Sequence, residues 1–296
     1  MKQYIIILLT AMLIVSCQEK KQTETRWVHT KTIALADVNP IGIAQGQKGI
    51  WLSDGDRNRV VLIDKSGVIL KTIDSLDRPM HIASEGQMLV IPQYGNDEVL
   101  CFRESEKEIV RTWDSLDAPA GVAINVAEMA IADFYNNRIH YTVNSSDWIT
   151  FGKEGKEDGD FYYPTDVHIT ESNIWVADAY NNRLQVFDKK GNHLKTIGED
   201  QKMNAATGIF ISDTNAYTTD FENDRVLVFD LEGSLKQVLD ADISKPTDLI
   251  IIDEVLYVTN YKGKSLSLYA QQEVEIGIQK GHDTDNDHHD HEDHKD

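Results

Sequence analysis

The stretch Ile174–Gly198, IWVADAYNNRLQVFDKKGNHLKTIG, contains three short apolar runs separated by polar turns. The runs are Ile174–Ala177, Leu184–Phe187 and His193–Ile197, and the turns between them are rich in Asn, Asp, Lys and Gly. Short runs of Val, Ile and aromatic residues bounded by such turns are typical of antiparallel β-strands in a meander. The stretch therefore predicts three consecutive strands of one sheet.

The same pattern recurs in six units spaced 39 to 45 residues apart. Aligned on the Asp that closes the first run, the equivalent positions are Asp54, Gln93, Asp133, Asp178, Asp220 and Asn260. Five residues later stand Arg59, Glu98, Arg138, Arg183, Arg225 and Ser265. Six units of about four strands each predict an all-β fold, a six-bladed β-propeller with four-stranded antiparallel blades, because such units bury both faces only when stacked around an axis. The recurrence of Asp and Arg favours a structural ion pair, since an active site needs such a pair once.

The segment 177–198, ADAYNNRLQVFDKKGNHLKTIG, resembles the hallmark repeat of the NHL-repeat family, and the loop Gly155–Pro164 resembles that family's Gly-rich approach ending in Phe-x-x-Pro. The resemblance covers Trp27 to about Ile278 and implies an NHL-type propeller. Units two and six depart from it at the Asp and Arg positions. Propellers of this shape include amidating lyases and lactonase-like hydrolases, so the resemblance also implies a metal-dependent enzyme as an alternative, with a pore metal acting as Lewis acid.

The chain begins MKQYIIILLTAMLIVSC, in which Lys2 precedes the apolar run Tyr4–Val15, the order of a signal peptide. The residues Ile14–Cys17 resemble the bacterial lipobox, which predicts lipidation of Cys17 and a membrane as partner through the lipid anchor. The alternative is an ordinary cleaved signal with a coincidental cysteine. Because Gln18 replaces the aspartate that retains many lipoproteins at the inner membrane, we expect the outer membrane of a bacterial cell envelope.

We divide the chain into a signal peptide (1–16), a tether (17–26), the propeller (27–280) and a disordered His/Asp-rich tail (281–296). The formal net charge of −20 repels phosphate backbones and argues against nucleic acid as a partner. Closely spaced imidazoles in the tail are expected to bind Zn²⁺, Ni²⁺ or Cu²⁺. These histidines are His282, His288, His289, His291 and His294. The alternative is a tail that only solubilises the protein.

Aromatic residues follow the aligned Asp position in five of the six units. In a four-stranded blade this turn lies on the same face as the loop that leads into the innermost strand. The residues are Tyr94, Phe134, Tyr135, Tyr180, Phe221 and Tyr261. They predict a collar that binds a peptide, a sugar or an apolar ligand. The alternative interpretation is loop packing between neighbouring blades.

The third residue of each turn into the innermost strand alternates between Gly and an ionisable side chain. In order these residues are Gly42, His81, Gly121, Asp166, Gly208 and Asp248. His81, Asp166 and Asp248 should therefore lie at threefold spacing around the pore, where they predict a site for a divalent metal such as Zn, Ca, Ni or Cu. The alternative is that both Asp side chains cap their own turns.

The sequence leaves two segments competing for the outermost strand of the last blade, Val28–Leu35 and Glu273–Ile278. For function, the leading hypothesis is a non-catalytic binding or scaffold lipoprotein that presents one propeller face to a protein, peptide or glycan. The alternatives are a metal-dependent propeller enzyme, amidating-lyase-like or lactonase-like, and a metal-handling lipoprotein that acts through its tail.

Overall fold

A computed structural model describes residues 23–103, 106–110, 116–144 and 146–275. The predicted signal peptide, Cys17 and the histidine-rich tail lie outside the described residues. The chain divides into two units, Trp27–Gln272 and a terminal unit of which the structure describes residues 23–26 and 273–275. In the terminal unit, Arg26 Nη2 forms an ion pair with Glu24 Oε2 at 3.0 Å. No helix in the described part is long and apolar enough to cross a membrane.

The described residues form 24 β-strands in six four-stranded sheets, which confirms the predicted all-β fold and its six blades. The chain opens with β1 (Thr23–Ala34). The first blade comprises β2 (Ile43–Gln45), β3 (Ile50–Asp54), β4 (Arg59–Ile63) and β5 (Ile69–Ile73). The second comprises β6 (Ala83–Glu85), β7 (Met88–Gln93), β8 (Glu98–Arg103) and β9 (Glu106–Val110). The third comprises β10 (Pro119–Asn125), β11 (Glu128–Asp133), β12 (Arg138–Thr142) and β13 (Trp148–Phe151).

The fourth blade comprises β14 (Pro164–Ile169), β15 (Asn173–Asp178), β16 (Arg183–Asp188) and β17 (His193–Ile197). The fifth comprises β18 (Ala206–Ile211), β19 (Asn215–Asp220), β20 (Arg225–Asp230) and β21 (Leu235–Leu239). The sixth comprises β22 (Pro246–Ile252), β23 (Val255–Asn260), β24 (Ser265–Glu275) and β1. Three short 3-10 turns interrupt the described strands, at Gly55–Arg57, Ala179–Asn181 and Glu199–Gln201.

The sixth blade is completed by the N-terminal strand, since its strand order is β22, β23, β24, β1. The Leu35 amide donates to the Lys264 carbonyl at 2.8 Å, and the Thr30 hydroxyl donates to the Leu268 carbonyl at 3.1 Å. Because β24 continues to Glu275, the other candidate segment begins inside the third strand of the blade. The first and last blades are thus joined by a strand from the opposite end of the chain.

Each blade buries both faces because successive side chains of a strand point to opposite sides. In β15, Ile174 and Val176 pack toward the third blade, whereas Trp175 and Ala177 pack toward the fifth. Six clusters of buried apolar residues among the described side chains follow this rule, one at each contact between neighbouring blades. The apolar core is therefore a ring of inter-blade layers.

The aligned Asp and Arg positions mark the hairpin between the second and third strands of each blade. Asp178 ends β15, Arg183 begins β16, and the two residues are paired in the register. Arg183 Nε donates to Asp178 Oδ2 at 2.9 Å, and its Nη2 donates to the Glu157 and Asp160 carbonyls at 2.7 and 3.1 Å. The pair therefore holds the hairpin to the loop that leads into the same blade.

The register also fixes which loops share a face. In the fourth blade, Pro164 at the start of the innermost strand pairs with Asp178, just before the hairpin turn, whereas Ile169 at its other end pairs with Ile174. The turns after the aligned Asp positions therefore lie at the starting end of the innermost strands. We call this side the collar face and the other side the funnel face.

Candidate functional site

The structure brings His81, Asp166 and Asp248 together, and we call these three residues the axial cluster. His81 Nδ1 lies 3.7 Å from Asp166 Oδ2 and 3.5 Å from Asp248 Oδ2. One potential ligand atom from each residue lies within 4.8 Å of the others. The three residues are 3%, 5% and 4% exposed, so their charges are held out of bulk water. The cluster combines one imidazole and two carboxylates from alternate blades.

Both carboxylates of the axial cluster also accept backbone hydrogen bonds. Asp166 Oδ1 accepts from the Val167 amide at 2.9 Å, and its Oδ2 accepts from the Ile209 amide of the next blade at 3.0 Å. Asp248 does the same with Leu249 at 2.8 Å and Ile43 at 2.9 Å. The alternative of local capping thus accounts for one oxygen of each carboxylate. The other oxygen joins two blades and faces His81.

The alternating glycines allow the innermost strands to approach closely. A Cβ at Gly208 would lie 2.6 Å from the Thr247 carbonyl oxygen, and a Cβ at Gly121 would lie 2.5 Å from that of Thr165. These distances are far below a van der Waals contact, so a side chain here would separate the blades. In β14 the register shifts between Pro164 and Asp166, and such a bulge changes the direction of the side chains beside it. Glycine spacing and the bulge together position the axial cluster.

Burial and mutual charge change the proton affinities in the axial cluster. Burial raises the pKa of Asp166 to about 8; the imidazole of His81 opposes this rise, and the charge of Asp248 adds to it. Burial acts to lower the pKa of His81, but the charges of Asp166 and Asp248 outweigh it and the pKa is raised. Both Asp166 and His81 in the axial cluster are therefore protonated more readily than the same groups in water.

A cavity of about 270 Å³ reaches the two carboxylates of the axial cluster from the funnel face. All six innermost strands line it, and Asp166 and Asp248 stand at its inner end, with Gln45, Glu85 and Asn125 toward the outside. On the collar side, threonine hydroxyls bridge successive blades. The bonds are Thr165 to the Thr207 carbonyl (2.8 Å), Thr207 to the Thr247 carbonyl (3.1 Å) and Thr247 to the Pro40 carbonyl (3.0 Å). The cluster is thus approached from the face opposite the collar.

The structure brings four of the six predicted collar residues into ring contact: Tyr94, Phe134, Tyr135 and Tyr180. The ring centroids of Tyr94 and Phe134 are 5.6 Å apart, those of Phe134 and Tyr135 are 5.1 Å apart, and those of Phe134 and Tyr180 are 6.4 Å apart. Tyr135 and Tyr180 are 48% and 57% exposed. Burial and the Tyr135 hydroxyl raise the pKa of Tyr94, so that this phenol stays neutral.

Two further rings belong to this group and were missed from the sequence. Tyr163 stacks on Phe134 at 4.7 Å, and Tyr162 stacks on Tyr163 at 4.6 Å. Both come from the loop before the fourth blade. The long interval between Asp133 and Asp178 gave a signal for them. We call these six side chains the aromatic cluster, comprising Tyr94, Phe134, Tyr135, Tyr162, Tyr163 and Tyr180. Contact between a hairpin of one blade and the loop of the next also agrees with the loop-packing interpretation.

Phe221 and Tyr261 lie outside the aromatic cluster, so the predicted collar is confined to one side of the face. Phe221 lies beneath the ammonium group of Lys245, 5.7 Å from its ring centroid. The Tyr261 hydroxyl donates to Asp56 Oδ2 at 2.9 Å. Each of these two rings therefore has a local polar partner of its own.

Comparisons with known proteins support the fold. Residues 153–276 match the DUF5128 family, described as a 6-bladed beta-propeller. A stretch of 47 residues is 45% identical to Protein lin-41 of Caenorhabditis elegans; it is 16% of this chain and 4% of that protein, so the chain spans only a small part of this relative.

Two solved structures share the architecture at low sequence identity. Virginiamycin B lyase from Staphylococcus aureus is 13% identical, with a TM-score of 0.63 over 86% of this chain and 90% of that one. A gluconolactonase from Xanthomonas campestris is 14% identical, with a TM-score of 0.67 over 81% and 89% of the two chains. At these identities the similarity concerns the fold alone. Together with the strand topology, the matches identify the chain as a six-bladed β-propeller.

Proposed function

We propose that the protein is a non-catalytic, lipid-anchored binding protein of the bacterial outer membrane, with an NHL-type propeller as scaffold. Its collar face would bind a protein or peptide segment rich in Arg or Lys. The observation that supports this proposal is the aromatic cluster, in which Tyr135 and Tyr180 are about half exposed although they contact other rings. Rigid aromatic side chains held in place by neighbours are typical of the central residues of binding surfaces.

A cation already stacks on this cluster. The guanidinium carbon of Arg78 lies 4.5 Å from the ring centroid of Tyr94. An aromatic face attracts a cation through its quadrupole, and arginine is the cation most often found there. The more exposed faces of Tyr135 and Tyr180 offer the same contact to an arginine or lysine of a partner.

Carboxylates near the aromatic cluster favour a basic partner over an acidic one. The Tyr135 amide donates to the Asp117 carbonyl at 3.1 Å, and burial together with the charges of Asp97 and Asp133 raises the pKa of Asp117. Burial first, and then the charges of Tyr162 and Glu154, raise the pKa of Tyr163. The whole chain carries a formal charge of −20. A cationic segment would relieve this repulsion, and its binding would weaken with salt.

The proposal is tested by titrating the protein with Arg-Gly, Lys-Gly and Glu-Gly repeat peptides in a calorimeter. We expect the Arg-Gly peptide to bind most tightly and the Glu-Gly peptide not to bind. The double substitution Tyr135→Ala and Tyr180→Ala should weaken Arg-Gly binding at least about tenfold, the loss of two cation–aromatic contacts. Tyr261→Ala is the matched control, because it removes a tyrosine from the same face without touching the aromatic cluster or the net charge.

Equal binding by the double variant and the wild-type protein would reject the aromatic cluster as the binding surface. Binding of a neutral glycan that depends on Tyr135 and Tyr180, with no Arg-Gly binding, would keep the surface and reject the basic partner. The anchor is tested separately: Cys17→Ser should abolish incorporation of labelled fatty acid, and incorporation that persists would reject lipidation at this residue.

A second candidate function is metal-dependent catalysis of the amidating-lyase or lactonase type. The specific observation in its favour is the cavity that ends on Asp166 and Asp248. This function predicts turnover of a lactone or a peptidyl-hydroxyglycine that is lost in Asp248→Asn, while Arg-Gly binding at the collar face is unchanged. Equal turnover by the wild-type protein and Asp248→Asn would reject it.

A further inference from the structure

We propose that His81, Asp166 and Asp248 bind one first-row divalent cation, such as Zn²⁺, on the propeller axis. This inference is independent of the proposed binding at the collar face. The three residues come from the second, fourth and sixth blades. The ion would therefore join alternate blades, whereas the apolar clusters among the described side chains join neighbouring blades.

An unpartnered imidazole nitrogen is the first observation that points to a ligand. His81 Nδ1 is buried and has no hydrogen-bond partner. The nearest carboxylate oxygen, Asp248 Oδ2, is 3.5 Å away, which exceeds an ordinary hydrogen bond. Buried polar atoms are rarely left in this state, and a bound ion is one of the standard explanations. The nitrogen also faces two carboxylate oxygens, the geometry of a coordination site.

The spacing of the ligand atoms fits a small ion. Bonds of about 2.0–2.1 Å to nitrogen and oxygen in a tetrahedral arrangement place neighbouring ligand atoms about 3.3 Å apart. The distances from His81 Nδ1 to Asp248 and Asp166 are 3.5 and 3.7 Å, each within a few tenths of an ångström of that value, and all three ligand atoms lie within 4.8 Å of one another. Each Oδ2 accepts one backbone amide and keeps a lone pair for the metal. Amides that bond the coordinating carboxylates also hold them in position.

Charge and access agree with the same assignment. Two buried carboxylates face one imidazole, and a buried charge is costly unless it is paired or coordinates a metal. The cavity of about 270 Å³ gives a path from the funnel face, which a site formed in the folded protein requires. The imidazole favours Zn²⁺, Ni²⁺ or Cu²⁺ over Mg²⁺ and Ca²⁺, which prefer oxygen ligands alone.

The test must separate this site from the histidine-rich tail. We would use the full chain with its five tail histidines replaced by Asn, and measure Zn²⁺ binding by calorimetry and by elemental analysis after dialysis. We expect one Zn²⁺ per chain, and a higher Tm in its presence. His81→Gln and Asp166→Asn should each weaken the binding at least about 100-fold, since each removes one of only three protein ligands.

His140→Gln is the matched control, since His140 is also fully buried and bonded to a carboxylate, with Nε2 3.0 Å from Asp133 Oδ2. This variant should keep the Zn²⁺. If His81→Gln fails to fold, the Zn²⁺ affinity of Asp166→Asn alone tests the inference. This variant should fold, because the side-chain oxygen of Asn can still accept the Val167 amide. The inference is overturned if the tail-substituted chain binds no Zn²⁺ at micromolar concentrations, or if a folded variant of the axial cluster retains the wild-type affinity.

Discussion

Replacement of Arg183 by Met tests how much a buried ion pair of the repeat contributes to stability. Asp178 is fully buried and Arg183 is 3% exposed. Without the guanidinium, Asp178 Oδ2 keeps only Asn181 and Gln185 as donors, both at 2.9 Å. Breaking a buried pair costs about 3–5 kcal/mol. Since two amide donors remain, we expect Arg183→Met to reduce the free energy of unfolding by about 3–4 kcal/mol.

Arg225→Met is the matched control in the fifth blade. Arg225 Nε donates to Asp220 Oδ2 at 2.7 Å, but the Arg225 side chain is 24% exposed. Water can therefore replace the guanidinium, and we expect a loss of about 1–2 kcal/mol. Leu227 stands where the fourth blade has Gln185, so Asp220 keeps one side-chain donor fewer than Asp178 after its arginine is removed. If the number of remaining donors set the cost, Arg225→Met would lose more stability than Arg183→Met. The two variants thus separate the effect of burial from the effect of donor number.

The assay is urea unfolding followed by tryptophan fluorescence, with thermal unfolding as a second probe. In a chain of this size about 1 kcal/mol corresponds to about 2–4 °C in Tm, so Arg183→Met should lower the Tm by about 6–16 °C. The slope against urea should stay unchanged. An equal or larger loss in Arg225→Met would refute the reasoning, because it would show that donor number rather than burial sets the cost.

Three further predictions concern closure, pH and strand spacing. Trp27 is 7% exposed and packs between the fifth and sixth blades. Trp27→Ala should therefore lower the free energy of unfolding, measured in urea, by about 3–5 kcal/mol. A loss below about 1 kcal/mol would contradict closure of the propeller by the N-terminal strand. Burial acts to raise the pKa of Asp133, but hydrogen bonds, first that of His140, lower the pKa overall. The ionised Asp133 therefore stabilises the fold above the ordinary Asp pKa, and this stabilisation is lost as the pH falls through the pKa of Asp133 in the folded protein. The fourth blade has Gln185 in place of this histidine, and there burial raises the pKa of the equivalent Asp178. His140→Gln should therefore raise the pKa of Asp133 in an NMR titration. An unchanged pKa of Asp133 would reject this role of His140. Gly208→Ala should lower stability by about 1–3 kcal/mol, since its Cβ would lie 2.6 Å from the Thr247 carbonyl oxygen; a neutral effect in thermal unfolding would show that the strands can separate.

The fold could be predicted from the sequence because residues within each repeat determine how the strands of that repeat pair. The aligned positions such as Asp54 and Asp220 end the second strand of their blades, and Arg59 and Arg225 begin the third. Local turn chemistry and period-two alternation were enough for this. The strand that completes the sixth blade could not be predicted, because both candidate segments alternate apolar and polar residues similarly. Which of them pairs with the blade depends on contacts between residues far apart in the sequence. One such contact joins Trp27 Nε1 to the Tyr217 hydroxyl at 3.3 Å.

The residues of the candidate sites could be predicted from the sequence in part. The alternation of Gly with His81, Asp166 and Asp248 predicted a threefold cluster, because the symmetry of the repeat converts sequence position into position around the axis. The same argument predicted a collar from the one or two positions that follow the aligned Asp in five of the six units. It missed Tyr162 and Tyr163, since they lie in a loop that is longer than its equivalents, and an irregular loop has no counterpart in the repeat.

The central claim is that the aromatic cluster on the collar face is the binding surface. The most direct measurement is ¹⁹F NMR of the protein labelled with 3-fluorotyrosine and titrated with the Arg-Gly peptide, with resonances assigned from single Tyr→Phe variants. We predict saturable shifts of the Tyr135 and Tyr180 resonances and no shift of Tyr261. Equal shifts at all three residues, or none at Tyr135 and Tyr180 when the peptide is bound, would contradict the claim.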